Sequence, residues 1–296
     1  MLESDPSNPV AVRKAGTALA RLYDEAKSYP ELRAVTRKLA EWAEDPSQRR
    51  GLLTRVAALE ENQLADRDAA IATWRDILAD QPTDAGSLNA LERLYQSAEK
   101  WRDLIEILRV KLEVATAPVE ARDLLSRIAE IHEVMLEDPD EAIAAHLEAL
   151  ERDAGDLRAL SELARLYREA QRHADLLDIL EKQSQIDPNL RPALQVEIAQ
   201  LLAGPLARPV EALETWKAVL DGEPTHPLAL AAVEAALADP DLRVTAAEIL
   251  RPVYGATAQY ARLARLQLLA SEWSDEPAAK LRALGDVVRL REYQLD

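Results

Sequence analysis

Leu91 to Tyr95 reads LERLY, Leu163 to Tyr167 reads LARLY, and Leu19 to Tyr23 reads LARLY again, each copy 72 residues from the next. Self-similarity at a fixed period marks a repeat architecture, and it has to be read before single elements are assigned. The match runs past the pentapeptide. Trp101, Asp103 and Leu104 align with His173, Asp175 and Leu176, and Ile107-Leu108 with Ile179-Leu180, so the register covers two helices. A second family lies between them. Arg55-Val56-Ala57, Arg127-Ile128-Ala129 and Glu197-Ile198-Ala199 are followed, 13 residues after each alanine, by Ala70, Ala142 and Ala212. The half-repeat is therefore about 36 residues long.

Helical periodicity resolves each half-repeat into two amphipathic helices and a short turn. The first helices are expected near 12–26, 51–64, 87–97, 120–136, 157–170, 192–203, 227–238 and 258–272. Their partners are expected near 31–44, 67–80, 101–116, 139–152, 173–186, 208–221, 242–253 and 277–291. Turn chemistry agrees. Asp138 can cap a helix whose first position is Pro139, with Glu141 placed to close a capping box, and Asp239-Pro240 reads the same way. Pro82, Pro188 and Pro224 each follow a second helix and forbid its continuation. Ala, Leu, Glu and Arg fill the chain, and no run alternates as a half-buried strand must, so essentially no sheet is expected.

These residues resemble the tetratricopeptide repeat (TPR) family, a 34-residue helix–turn–helix unit with small residues, a large ring and a closing proline at set spacings. Ala70, Trp74 and Pro82 carry the second-helix half of that signature, as do Ala212, Trp216 and Pro224, and Ala142, His146 and Ala149 carry it without the proline. LARLY with the later Tyr29 carries the other half. Departures are an extra residue in some turns, a missing proline in alternate units, and Glu92 where the family has a small residue.

The resemblance implies an all-α fold: an α-solenoid, wound as a right-handed superhelix, of about eight antiparallel TPR-like helix pairs. Regular repeats are expected over 1–226. Residues 227–296, which lose most signature residues, read as divergent repeats or a C-terminal cap continuous with the same solenoid. Met1 to Pro6 reads as the end of a second helix and its proline turn, and the chain ends at Gln294-Leu295-Asp296 in the same phase. That suggests a segment of a longer array.

Composition excludes several functions. Eight scattered glycines form no phosphate cradle. Without cysteine there is no thiolate nucleophile, disulfide or cysteine metal site. His132, His146, His173 and His226 form no catalytic or metal motif; His132 and His146 could approach each other beside Glu133, but packing as polar-tipped substitutes for rings is the better reading. No catalytic residue, cofactor or metal is assigned, and the chain reads as a non-enzyme. A formal charge of −17 repels polyanions, so nucleic acid and anionic lipid are not expected partners. No apolar segment approaches the roughly 20 residues that span a bilayer, and no signal peptide opens the chain. The cytoplasm is the expected compartment, an extracytoplasmic one staying open for a piece of a longer protein. Arginine in excess over lysine, with abundant Ala and Leu, is the usage of a GC-rich bacterial genome.

What remains is a protein-interaction scaffold or adaptor holding a peptide or partner protein, basic by preference, in a concave groove lined by first helices, with self-association also open. The alternative is a regulatory or sensor region of a larger protein whose catalytic domain lies elsewhere. The family geometry aims residues two before and one after the first-helix ring position into the groove. Here those are Arg21, Arg93, Glu130 and Arg165, and Asp24, Glu61, Gln96, Glu133 and Arg168. Arg21, Arg93 and Arg165 could clamp a partner's carboxylates, or pair with neighbouring Glu at helical spacing.

Overall fold

A computed structural model describes residues 9–273 and 277–294. Among them there is no strand; sixteen α-helices follow one another as eight pairs. In chain order these are α1 (Pro9–Glu25), α2 (Tyr29–Glu41), α3 (Pro46–Asn62), α4 (Arg67–Asp80), α5 (Ala85–Ser97), α6 (Trp101–Val114), α7 (Pro118–Glu130) and α8 (Pro139–Arg152). Then come α9 (Leu157–Glu169), α10 (His173–Ile186), α11 (Arg191–Ala203), α12 (Pro209–Gly222), α13 (Pro227–Ala236), α14 (Arg243–Ala256), α15 (Tyr260–Trp273) and α16 (Pro277–Gln294). Met1–Pro6 and Leu295–Asp296, on which the reading of the two chain ends rests, lie outside the described residues.

The helices group into two compact units, Met1–Asp153 and Ala154–Asp296. Within each, helices pack in sequence order: a first helix on its partner, and that partner on the next first helix. This is helical-repeat stacking, in which no pair can bury its apolar face alone. The chain is a TPR-like, all-α solenoid protein. Signature positions are core: Ala70, Trp74, Ala142, His146, Ala149, Ala212 and Trp216 are buried on the second helices, and Tyr95 and Tyr167 on the first. Tyr23 is partly buried, against a cluster of Ala20, Leu32, Val35, Leu39 and Leu59.

Starts are encoded locally. The carboxylates of Asp45, Asp66, Asp84, Asp138 and Asp156 accept backbone N–H groups of the first turns of α3, α4, α5, α8 and α9. Asp45 also accounts for α3 beginning at Pro46 and not near 51, since it caps a helix with proline at its first position. Asp239 instead receives the Asp241 N–H in a turn, and α14 starts at Arg243.

The turn inside each pair comes in two alternating forms. In one, the N–H of Ser28, Lys100 and Arg172 bonds the carbonyl five residues back, that of Tyr23, Tyr95 and Tyr167. In the other, the N–H of Asp66, Asp138 and Arg208 reaches six residues back, to Glu60, His132 and Leu202. The extra residue is absorbed by i→i−5 bonds from Leu64, Leu136 and Leu206 to Leu59, Ile131 and Leu201. At Ile131–Met135 this widening makes a short π-helix. The residue preceding each of these N–H donors, Lys27, Glu99 and Gln171 or Ala65, Glu137 and Ala207, is left-handed, with φ between 50° and 56°.

Candidate binding face

The carbonyl bonds fix the ring positions of the first helices as Tyr23, Glu60, Tyr95, His132, Tyr167 and Leu202. Residues two before and one after each of the first five form the expected binding face.

The position after the ring is tied to the following first helix. Arg55 of α3 donates to Asp24 of α1 at 2.9 Å. Arg93 of α5 donates to Glu61 of α3, which also accepts the Trp74 indole N–H at 2.8 Å. Arg127 of α7 donates to Gln96 of α5 at 2.8 Å and to Glu92. In the second unit the polarity reverses, and Arg168 of α9 donates to Glu197 of α11 at 2.7 Å. Farther on, Arg262 of α15 donates to Glu234 of α13 at 2.8 Å. The face is thus a ladder with a rung from one first helix to the next.

The three arginines two before the ring differ. Arg21 is largely exposed and pairs with Glu25 one turn on, and Arg165 reaches Glu162 and Glu169 of its own helix. Arg93 belongs to the ladder. Glu130 is exposed with no ion pair, and Glu133 is partly exposed. Periodicity had not marked Arg55, Arg127, Glu197, Glu234 or Arg262 as part of this face. Their signal was charge at equal register, Arg55 and Arg127 standing 72 residues apart.

Second helices of the first unit carry a parallel ladder. Arg37 of α2 reaches Asp76 of α4, Arg75 of α4 reaches Asp103 of α6 at 2.7 Å, and Arg109 of α6 reaches Glu148 of α8. Arg75 also lies over the Tyr95 ring, and Arg172 over that of Tyr167 at 4.7 Å.

Two polar groups penetrate deeper. Burial pushes the Glu92 carboxyl up, but Lys111, 2.6 Å away, and Arg127 outweigh it and hold the group below its ordinary range. Glu92 so fills the family's small-residue position by joining α5, α6 and α7. Glu60, fully buried at a ring position, accepts the Thr73 hydroxyl at 2.6 Å, and Thr73 accepts from Arg37 at 2.7 Å.

His146 is buried, and the Nδ1 atoms of His132 and His173 are buried without a hydrogen-bond partner. Among the described residues no three His, Cys, Asp or Glu side chains group so as to hold a metal ion, and no helix is long and apolar enough to cross a membrane.

No protein-family model matches the chain, and no curated protein matches it in sequence. Solved structures do. The crystal structure of MamA is 20% identical over 59% of this chain and 91% of its own, with a TM-score of 0.33. YrrB, a TPR protein with an unusual peptide-binding site, is 19% identical over 61% of this chain and 90% of its own, TM-score 0.33. A tetratricopeptide repeat protein from Parabacteroides merdae is 12% identical over 94% of this chain and 98% of its own, TM-score 0.34.

Proposed function

We propose that this chain is a non-catalytic scaffold that holds a peptide or partner protein against the face of its first helices. The observation that carries the reading is the ladder itself. Rungs between successive first helices fix their spacing, so a polar surface is held in place before any partner arrives, which lowers the ordering cost of binding. Arg21, Arg165 and Glu130, which take no part in rungs, are the contacts offered outward. A charge of −17 favours a basic partner. Residues 227–296 continue the pairing order of the second unit, α12 on α13 and so on to α16, and are read as divergent repeats of the same array. The cytoplasm is the proposed compartment.

A photo-crosslinking amino acid placed at Arg21, Gln96 or Glu130 should trap a partner in cells, while one at Arg102 or Glu106, exposed on α6, should not. With that partner purified, Arg21→Glu and Arg165→Glu should each weaken binding about tenfold, consistent with about 1.4 kcal/mol for one lost charged contact. Trapping from the α6 positions alone, or unchanged affinity in both variants, would refute the reading.

A further inference from the structure

In both units the second helix of one pair packs on the first helix of the next. The residue just before the ring position belongs to that seam. Leu59 sits in a cluster with Leu32, Val35 and Leu39 of α2. Leu94, Ile131 and Leu166, at the same position of α5, α7 and α9, are buried with it, none above 8% exposed. The equivalent residue of α1 is Leu22, and it is 59% exposed. An open trough of about 860 Å³ runs along this side of α1, past Lys14, Ala18 and Leu22.

The other half of the seam stands open on α16. Val287 is buried where α16 packs on α15. About a third of a turn round the helix, Leu281, Leu284 and Val288 form a stripe at i, i+3 and i+7, exposed by 71%, 44% and 52%. Among the described residues no first helix follows α16 to cover them.

We propose that copies of this chain stack end to end, the stripe of α16 on one copy seated against the Leu22 side of α1 on the next. The contact repeats a junction the molecule already makes between pairs in each unit, so it needs no new packing chemistry. Charge favours the ends. Residues 51–250 carry 39 acidic and 20 basic side chains, whereas residues 1–50 carry 8 and 9 and residues 251–296 carry 6 and 7. Two copies of net charge −17 therefore meet with least repulsion at their termini, and the single excess positive charge of each end is screened within about 8–10 Å at physiological salt. Because the two surfaces differ, association is heterologous and does not close at a dimer. It uses none of the ladder residues, so it stands apart from the binding-face reading.

Light scattering on the eluting full chain tests this. The measured mass should climb with concentration past twice the 32.8 kDa of one chain. Leu22→Glu and Leu281→Glu each block one end, at exposed positions that leave the core untouched, and each should stay at the single-chain mass. Mixed in equal amounts, they should form dimers and stop there, since one intact end of each kind remains. Val288→Glu should behave as Leu281→Glu does, and circular dichroism should show unchanged helix in all three. A wild-type mass that stays at one chain, growth persisting in Leu22→Glu or Leu281→Glu alone, or a mixture that stays monomeric overturns the proposal.

Discussion

Glu60 stands where α1, α5 and α9 place tyrosine, and its carboxyl group depends on a single hydroxyl, that of Thr73. Thr73→Val keeps the shape and removes the donor, leaving a buried polar group unsatisfied, so it should cost about 2 kcal/mol in a urea titration. Glu60→Leu combined with Thr73→Val removes both partners and should cost less than Thr73→Val alone. A double variant that is the less stable would mean that shape, not hydrogen bonding, governs the site. Glu92 tests charge. Its folded-state pKa lies below the ordinary 4.5, so folded protein takes up this proton later than unfolded protein does. The stabilisation is complete above about pH 4.5 and fades as pH falls through the folded-state value. Glu92→Gln should therefore lose about 1–2 kcal/mol at pH 7 and show a flatter decline of stability below pH 4.5. Equal slopes for wild type and variant would contradict the assignment. Neither site was legible as such in the sequence. The position of Glu92 could be named as a departure, but the lysine and arginine that neutralise it come from α6 and α7, and sequence spacing does not show which long side chains will meet.

Periodicity did show the helices, because each second helix buries small and large residues at fixed intervals and each first helix ends on a ring. The turns were harder. A left-handed residue after a helix is normally announced by glycine, and here no glycine has positive φ among the described residues, while Lys27, Ala65, Glu99, Glu137, Gln171, Ala207 and Ala258 do. Each carries a Cβ where only glycine is at ease. Ala65→Gly and Glu99→Gly should each stabilise the fold by up to about 1 kcal/mol, raising the melting temperature by about 2 °C, less what glycine adds to the entropy of the unfolded chain. Ala72→Gly, inside α4, should lower it by a similar amount. Calorimetry reads both signs, and a fall at Ala65→Gly would show the left-handed turn to be unstrained. The alternation of five- and six-residue turns explains why the sequence repeats more clearly at 72 than at 36: two kinds of pair, not one, make the period.

The boundary between the two units carries no mark in the chain, since Asp153 to Asp156 looks like any other turn and Asp156 caps α9 as Asp84 caps α5. The loss of signature residues after 226 is visible, yet it changes side chains and leaves the pairing order intact. What a linear array predicts at this scale is where a cut is tolerated. Each element contacts only its neighbours, so stability is a sum of pair and junction contributions. A fragment ending at 153 keeps α1 to α8 paired and should fold, with the ellipticity per residue of the whole chain. One ending at 137 strands α7. It still touches α6, but Leu125, Ile128 and Ala129 lose the side of α8 that holds Ala142, Ile143 and His146, and an isolated helix of 13 residues is marginal in water. Relative to the 153-residue fragment, the helical signal at 222 nm should fall by about the sum of α7 and α8, 13 and 14 residues. A loss matching α8 alone would mean that α7 is held by its junction with α6, and that the unit of folding is the single helix and not the pair.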